Sequence, residues 1–225
     1  FNEPGAKAAA EAIGAEFVVF DVGDPEAWQE TIHGIEAQHG ALHLVHLNAG
    51  ITTYKAEASA ELRSGFDLSE MPLDNYRRIM GANVDGVILG ARACIPLSAA
   101  SGGGAVVATA SAAGAIAFPP DPIYTATKHA VVGFVRSMAP WLQAQGIGCH
   151  AIMPGVVDTG LLAEGMADQA RALGIPVIAP EEIAEAVVGA VRSPESGGLW
   201  VCLANRPAFR YAFNPIDGLG VPETD

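Results

Sequence analysis

Short apolar runs alternate with longer amphipathic segments along most of the 225 residues, and this alternation restricts the fold more than any other feature. Strands that are separated by helices pair in parallel, so the pattern predicts an α/β domain whose sheet is covered by helices on both faces. The predicted elements are helices over 5–13, 25–39, 73–99, 122–145 and 181–193, a lid-like helical stretch over 160–173, and strands over 16–20, 42–47, 104–109, 148–153 and 199–203.

Composition indicates one globular domain with an acidic surface. Half of the residues are hydrophobic, no linker rich in proline, glycine or serine divides the chain, and the net charge is −13 with a pI near 4.7. This charge disfavours nucleic acid and anionic membranes as partners. No apolar run approaches the ~20 residues that cross a bilayer, and no signal peptide is evident. We therefore expect neither a nucleic-acid partner nor a membrane partner.

The cysteines and histidines show no metal-binding or redox spacing. Cys94, Cys149 and Cys202 are odd in number, as expected for buried thiols in a reducing cytosol. The six histidines form no ligand set with acidic partners, and the carboxylates are scattered over helix faces. These patterns predict a cytoplasmic protein without a catalytic metal.

Tyr124 and Lys128 are the most informative pair of side chains. They lie four residues apart in a predicted helix, so both point to the same face. A free phenol titrates near pH 10 and is a poor base at neutral pH, whereas a neighbouring cation favours the phenolate. The pair therefore predicts a tyrosine that acts as a general acid or base.

Further candidates lie where predicted strands end, which is where open α/β sheets bind ligands. Ser111 follows the strand over 104–109, and the turn 48–50 follows the strand over 42–47. Asn83 lies instead inside the long apolar-periodic segment over 73–99. With the candidates that the resemblance described next implies, the complete additional set is Asp21, Val22, Asn48, Ala49, Gly50, Asn83, Ser111, Pro154, Gly155, Val157 and Thr159.

Together these motifs resemble those of the short-chain dehydrogenase/reductase family, in the order and at the separations usual for that family. The resemblance runs from about residue 1 to 203 and implies a Rossmann-like doubly wound parallel sheet in three α/β/α layers. It also implies an NAD(P)-dependent oxidoreductase that acts on secondary alcohols and ketones. Two alternatives remain: a catalytically silent dinucleotide-binding or regulatory protein, and a purely structural oligomerisation module.

The resemblance implies a role for each catalytic candidate, and each role has a structural alternative. Tyr124 would carry the proton while hydride moves to or from a nicotinamide ring, or it is a helix-surface tyrosine. Lys128 would hold the nicotinamide ribose, or it is a solvated helical lysine. Ser111 would bind the substrate oxygen, or it only forms a turn. Asn83 would hold a water that links Lys128 to solvent, or it marks a helix kink.

The resemblance also implies roles for the cofactor-binding candidates, some of which have structural alternatives. The turn 48–50 has to be small because a cofactor would pass close to it, and Leu47 replaces the first of two asparagines usual in the family. Asp21, followed by Val22, would lie beside the adenine, or it is a carboxylate at the approach to a helix. Thr159, in the motif that begins at Pro154, would contact the nicotinamide carboxamide, or it caps a helix.

The glycine-rich turn that binds a pyrophosphate in this architecture is not present in the sequence. The three glycines at 102–104 precede a predicted strand instead of following one, so they predict a surface turn. Relative to the family, the first β-α-β portion is missing. We expect a preceding segment of roughly thirty to forty residues in the complete protein.

The predicted pocket walls indicate a small neutral alcohol or ketone as substrate. Only Arg63 and Arg171 lie near enough to recruit an anion, and the net charge disfavours an acyl group on an acidic carrier protein. The walls are residues 112–122, 161–175 and part of 51–62, with Phe118, Pro119, Pro120, Ile123, Met153, Leu161, Leu162 and Met166.

Cofactor choice and assembly are predicted from fewer residues. Phe1, Asn2 and Glu3 offer no arginine for a 2′-phosphate, so NAD(H) is expected in preference to NADP(H). Glycine and alanine recur along the helices over 73–99 and 122–145, which family members commonly pair between subunits. We therefore expect a homo-oligomer, either a dimer or a tetramer.

Overall fold

Helices and strands alternate in the computed structural model, which describes residues 3–53, 67–162 and 165–215. The helices are α1 (Glu3–Ile13), α2 (Pro25–His39), α3 (Leu73–Met80), α4 (Gly86–Ala100), α5 (Pro122–Gln143), α6 (Met166–Ala172) and α7 (Pro180–Val191). A π-helical turn (Gly81–Asp85) joins α3 to α4, and a 3-10 turn (Ala112–Gly114) precedes α5. The strands are β1 (Leu44–Leu47), β2 (Gly104–Thr109), β3 (Ile147–Pro154), β4 (Leu199–Cys202) and β5 (Phe209–Tyr211).

The strands form one five-stranded sheet in the order β1-β2-β3-β4-β5. The first four are parallel, and β5 pairs with β4 in the antiparallel direction. β3 is central and buried along almost its whole length. Because parallel strands end at the same edge of a sheet, the loops after β1, β2 and β3 meet at one edge.

Apolar side chains pack on both faces of this sheet. Ile147, Cys149 and Met153 of β3 belong to a cluster that includes buried residues of α4 and α5. Ile152, also on β3, packs on the opposite face with Val187 of α7. The alternation along β3 follows from the two-residue period of a strand. The expected Rossmann-like, doubly wound α/β fold is confirmed.

Helix α2 shows how local sequence sets the boundaries of an element. Asp24 accepts hydrogen bonds from the backbone N–H groups of Glu26 (2.9 Å) and Ala27 (3.4 Å). Pro25 occupies the first helical position, and Gly40 ends the helix in the left-handed conformation at φ 70°. These are standard start and stop signals, so the prediction of 25–39 is confirmed.

The predicted strand over 16–20 is wrong. Residues 15–21 form neither helix nor strand, and Val18 is 65% exposed. A strand needs a neighbour to accept its backbone hydrogen bonds, and among the described residues no strand lies beside this segment. The segment contacts α2 instead, because the Phe20 ring packs edge-on against the Trp28 ring with 5.0 Å between the ring centres.

Two further differences concern α3–α4 and β5. The predicted helix over 73–99 is continuous in extent but contains the π turn at its middle. The short β5 was not predicted, because three residues that pair only with β4 leave little period-two signal. Gly102 and Gly103 lie in the turn before β2, as expected, and Gly104 begins the strand, where a Cβ would lie 1.9 Å from the His43 carbonyl oxygen.

Within the described ranges, none of the helices has both the length and the apolar character needed to cross a bilayer. In the same ranges, no three or more His, Cys, Asp or Glu side chains converge to hold a metal ion.

Candidate active site

Four predicted side chains are brought together at the carboxyl edge of the sheet, and we call them the Tyr124 cluster: Asn83, Ser111, Tyr124 and Lys128. Ser111 follows β2 in extended backbone, at φ −172°, before the 3-10 turn. Tyr124 and Lys128 occupy the first two turns of α5, which packs on β3. Asn83 lies in the π turn, which contacts α5.

The Ser111 hydroxyl lies close enough to the Tyr124 phenol to lower its pKa, and it also donates a hydrogen bond to the Pro154 carbonyl at 3.4 Å. The Nζ atom of Lys128 lies 5.5 Å from the centre of the Tyr124 ring and donates a hydrogen bond to the Thr109 carbonyl at 2.9 Å. The predicted pairing on one helical face is therefore present. The ammonium lies beside the ring, where it can also reach a ligand bound at this edge.

The pKa values differ from the sequence-based expectation. Burial raises the pKa of Tyr124 above its usual 10, a hydrogen bond from Ser111 partly lowers it, and the charge of Asp121 raises it further. Burial also lowers the pKa of Lys128 to about 8. The expected lowering of the Tyr124 pKa by Lys128 is thus wrong for the protein alone. Loss of water outweighs a cation whose own charged form is disfavoured by the same burial.

Asn83 is fully buried, and its side chain hydrogen-bonds to the loop after β1. Its Nδ2 donates to the Ile51 carbonyl (2.9 Å) and to Thr127 Oγ1 (3.0 Å), while its Oδ1 accepts from the Ile51 N–H (2.8 Å). A π turn leaves room for this side chain inside a helix pair, and such turns are frequent at functional sites. The position of Asn83 is therefore compatible with both predictions, a helix kink and a role beside Lys128, because Asn83 interrupts the helix and also belongs to the cluster.

The turn 48–50 lies directly against the Tyr124 cluster. A Cβ on Gly50 would come within 3.3 Å of Lys128 Nζ and 3.4 Å of Asn83 Oδ1, so this turn has no room for a side chain. Asn48 Oδ1 accepts a hydrogen bond from Thr109 Oγ1 at 2.8 Å, and the same Oγ1 lies 2.9 Å from His46 Nε2. Asn48 and Ala49 are exposed, so a flat ring can approach their backbone.

These features fit the nicotinamide half of a dinucleotide. The surface at the turn 48–50 has no bulky side chain, and Lys128 brings several hydrogen-bond donors next to it. The described residues contain no glycine-rich turn between a strand and a helix that would hold the pyrophosphate. The fit therefore rests on the residues around Tyr124.

The loop after β3 carries the motif that begins at Pro154. Pro154 is buried, and Gly155 donates its N–H to the Cys202 carbonyl at 2.9 Å. Val157 forms an isolated parallel bridge with Ile178. Thr159 is exposed, and its Oγ1 accepts from the Leu161 N–H at 3.4 Å, so its hydroxyl is accessible at the surface.

Asp21 and Val22 lie in a turn against the π turn. Asp21 is exposed, and its Oδ1 accepts a hydrogen bond from the Gly23 N–H at 2.8 Å. Val22 packs so closely on Gly86 that a Cβ there would lie 2.8 Å from its side chain. The structure therefore places this turn beside the segment that carries Asn83, and one oxygen of the exposed Asp21 carboxylate accepts a hydrogen bond within the turn.

A cavity of about 390 Å³ lies beside the predicted lid and not at the phenol of Tyr124. It is lined by Asp158, Thr159, Gly160, Leu162, Gly165, Ala167, Asp168 and Arg171. Arg171 donates to Asp158 (2.6 Å) and to Asp168 (2.9 Å), so its charge is neutralised within the chain.

Several predicted wall residues need correction or cannot be placed. Met153 is fully buried in the core and does not face a pocket, because it points to the α4–α5 side of β3. Phe118 and Leu161 are 44% and 41% exposed, which suits a wall that a ligand would cover. Residues 54–62, Arg63 and the Met166 side chain lie outside the described part of the chain.

Sequence reasoning missed Asp121 and Thr53, both of which are buried beside Tyr124. Asp121 starts α5 and accepts a hydrogen bond from the Tyr124 N–H at 2.9 Å. The pair Asp121-Pro122 is a helix-start signal that was readable in the sequence. No local signal marks Thr53, since it lies 68 residues from its partner.

The chain is similar to proteins whose functions have been assigned. Residues 1–197 match a family model described as enoyl-(acyl carrier protein) reductase. The 2-(R)-hydroxypropyl-CoM dehydrogenase of Xanthobacter autotrophicus is 34% identical over 139 residues, which are 62% of this chain and 52% of that protein. The cyclohexanol dehydrogenase of an Acinetobacter species is 32% identical over 168 residues, which are 73% of this chain and 62% of that protein.

A solved structure extends the likeness to three dimensions. The short-chain type dehydrogenase/reductase of Mycobacterium marinum has a TM-score of 0.73 at 28% identity and covers 89% of this chain and 79% of its own. The two curated relatives are longer, and this chain spans less than two thirds of either. The family model nevertheless covers most of the chain, which belongs to the short-chain dehydrogenase/reductase family.

Proposed function

We propose that the protein is an NAD(P)-dependent oxidoreductase that interconverts a secondary alcohol and a ketone, with Tyr124 as the general acid and base. The observation that carries this proposal is the arrangement of Ser111, Tyr124 and Lys128 at one sheet edge, where Ser111 is close enough to lower the pKa of Tyr124 and an amine lies 5.5 Å from the centre of the phenol ring. Both named relatives are dehydrogenases, which supports the same class of reaction.

A bound nicotinamide would supply or accept the hydride, and residues of this chain would hold the nicotinamide half of the cofactor, bind the substrate oxygen and carry the proton. The turn 48–50 and Lys128 would hold the nicotinamide ribose, and Thr159 the carboxamide. Ser111 would donate a hydrogen bond to the substrate oxygen, on which negative charge develops. Tyr124 would donate its proton to that oxygen during reduction and remove it during oxidation.

The burial of this cluster has a chemical consequence. The raised pKa keeps the Tyr124 phenol protonated at neutral pH, as in a free tyrosine, so the proton needed by a developing alkoxide is present although the phenol is a weaker acid. Oxidation requires the phenolate, which the charged form of Lys128 stabilises. With a Lys128 pKa of about 8, a large part of this amine is charged at neutral pH.

A neutral and fairly hydrophobic substrate fits the surroundings. Arg171, a predicted candidate for binding an anion, is already paired with two carboxylates. Ile116 and Phe118 expose apolar surface in the loop between β2 and α5. A cyclic or branched secondary alcohol would cover this surface and present its oxygen to Ser111, and the name of the Acinetobacter relative agrees with this class.

The finer assignments remain part of the proposal. NAD(H) is favoured over NADP(H) because no arginine is present among residues 1–3. A dimer or tetramer through α4 and α5 is favoured because both helices expose large apolar side chains, Ile88 at 40% and Trp141 at 54%. Light scattering that shows a stable monomer would contradict the assembly.

The deciding experiment measures cofactor binding and turnover separately. We expect NADH fluorescence titration to show binding, and a panel of cyclic alcohols and ketones to show turnover that Tyr124→Phe reduces about 1000-fold. Cofactor affinity should change little in that variant. Tyr76→Phe, on the exposed face of α3, is the matched control and should retain full turnover.

Binding of NADH and NADPH without turnover of any compound would favour the silent dinucleotide-binding protein instead. Turnover that Tyr124→Phe leaves unchanged would refute the assigned acid/base.

A further inference from the structure

Asp121 is a buried carboxylate with contacts to two different parts of the site. Its side chain is 2% exposed. Its Oδ1 accepts hydrogen bonds from the Tyr124 N–H at 2.9 Å and from Thr53 Oγ1 at 2.6 Å, and its Oδ2 accepts from the Thr53 N–H at 2.9 Å. One side chain thus joins the first turn of α5 to the loop that follows β1.

This carboxylate is held without an ion pair. Among the described residues, Asp121 has no Lys, Arg or His partner, and its charge is balanced by three donors and the start of α5. Burying a charge costs free energy unless the group is fully hydrogen-bonded. Breaking any of these bonds therefore destabilises the buried carboxylate and favours a rearrangement of the residues around it.

The loop over 51–53 is fixed from three sides. Asn83 binds both backbone groups of Ile51, and Arg78 donates to the carbonyls of Thr52 (3.3 Å) and Thr53 (2.9 Å). Asp121 provides the third attachment, and it belongs to the helix that carries Tyr124. The loop therefore cannot shift without moving the start of that helix.

Asp24 shows what an ordinary helix start looks like in the same chain. It is exposed, and its side chain bonds only to the N–H groups of its own helix α2. Asp121 makes the same kind of bond to α5 but adds two bonds to Thr53, a residue from a distant part of the sequence. Helix capping alone requires neither burial nor these extra bonds.

We propose that Asp121 is a positioning residue for the proposed reaction, and that it fixes the Tyr124 phenol by locking the start of α5 to the loop over 51–53. This inference rests on the proposed function for its effect on turnover. Its structural content, the control of Tyr124 by Asp121, can be measured without any substrate.

The charge of Asp121 also acts on the phenol directly. It raises the pKa of Tyr124, in addition to the larger effect of burial and against the hydrogen bond from Ser111. Among the described residues, Lys128 also lies close to the ring, with its Nζ 5.5 Å from the ring centre. Removal of the Asp121 charge should therefore lower the pKa of Tyr124, and the acid/base profile should move to lower pH.

The test uses Asp121→Asn, because an asparagine keeps the oxygen that caps Tyr124 but loses the charge and turns an amide donor toward the Thr53 N–H. We expect kcat to fall about 10- to 100-fold with little change in KM, since a small displacement of a catalytic group has that effect. Titration of tyrosinate absorbance, with Tyr124→Phe subtracted, should show a Tyr124 pKa below that of the wild type. Asp24→Asn is the matched control and should leave both quantities unchanged.

A second variant separates positioning from charge. Thr53→Val removes one hydrogen bond and keeps both the carboxylate and the helix cap, so kcat should fall while the Tyr124 pKa stays close to the wild-type value; Thr53→Ser should restore kcat. Equal effects of Asp121→Asn and Asp24→Asn, or an unshifted Tyr124 titration in folded Asp121→Asn, would overturn the proposal. If no compound is turned over, the proposed function fails, whereas the titration still decides the role of Asp121.

Discussion

The Tyr124 cluster and the segment over residues 15–21 differ in how much of their surroundings this chain supplies. In the cluster, Asn83 is fully buried and Lys128 is 3% exposed, and each makes hydrogen bonds to a neighbouring loop or strand. In the segment, Phe17 and Val18 are 41% and 65% exposed, although both are apolar. The sequence marks both regions as parts of one cofactor-binding fold.

The comparison indicates that a sequence motif forms an ordered site only where strands and helices of the same fold pack around it. The cluster stands on β2, β3 and α5, which lie within one packed unit. The segment lies beyond β1, and among the described residues β1 pairs only with β2. The side chains of the Tyr124 cluster are therefore held by packing within the described residues, whereas segment 15–21 is largely exposed among the same residues.

The largest expected effect comes from Lys128→Met. It should reduce turnover about 100-fold or more, because the cation beside Tyr124 is lost. It should also remove a pH dependence of stability. The folded-state pKa of Lys128 is about 8 against 10.5 in the unfolded chain, so the wild type should gain up to roughly 3 kcal/mol as pH rises from 8 to 10.5.

Urea unfolding at several pH values measures this gain as the difference between the wild type and Lys128→Met, in which the contribution of Tyr124 cancels. Lys7→Met is the control, because Lys7 is exposed and pairs only with Glu11. An equal pH dependence in wild type and Lys128→Met would show that the amine is hydrated, and the contrast between the two regions would weaken.

A pair of truncations compares the packing of the two regions directly. Ile152→Ala, at a fully buried position on β3, should cost between about 2 and 5 kcal/mol of unfolding free energy. Val18→Ala should change it by no more than about 0.5 kcal/mol, because the side chain is mostly exposed. Chemical denaturation of both variants measures the difference. A similar cost at the two sites would show that segment 15–21 is covered in solution.

Sequence was sufficient for residues whose role follows from local spacing. Tyr124 and Lys128 lie four apart on a helix, and Ser111 follows an apolar strand, so their meeting at one sheet edge could be predicted from periodicity and topology. The parallel sheet could be predicted for the same reason, because its four parallel strands are mostly apolar and are separated by helices.

Features that depend on distant contacts could not be predicted. The predicted strand over 16–20 has the composition of a strand, but no strand pairs with it in the described part of the chain, and composition alone does not predict pairing. The raised pKa of Tyr124 depends on how much water burial removes, which a count of nearby charges omits. The bonds from Asp121 to Thr53 join residues that only the folded chain brings together.

The smallest expected effect on the site comes from Gly50→Ala, which adds one methyl group to the turn 48–50. Gly50→Ala places a Cβ 3.3 Å from Lys128 Nζ and 3.4 Å from Asn83 Oδ1, so these groups must shift by a few tenths of an ångström. We expect a loss of about 1 kcal/mol in cofactor binding, or roughly fivefold in Kd, because the added methyl lies where the ribose and nicotinamide would approach. NADH fluorescence titration measures this loss.

Gly34→Ala is the matched substitution outside the site. Gly34 lies within α2 with no atom within 4 Å of the new Cβ, so alanine should stabilise the protein by up to about 1 kcal/mol without changing Kd. If Gly50→Ala binds NADH as tightly as Gly34→Ala does, the cofactor does not pass over the turn 48–50. The nicotinamide side of the site would then be no better defined than the adenine side, and the comparison between the two regions would lose its basis.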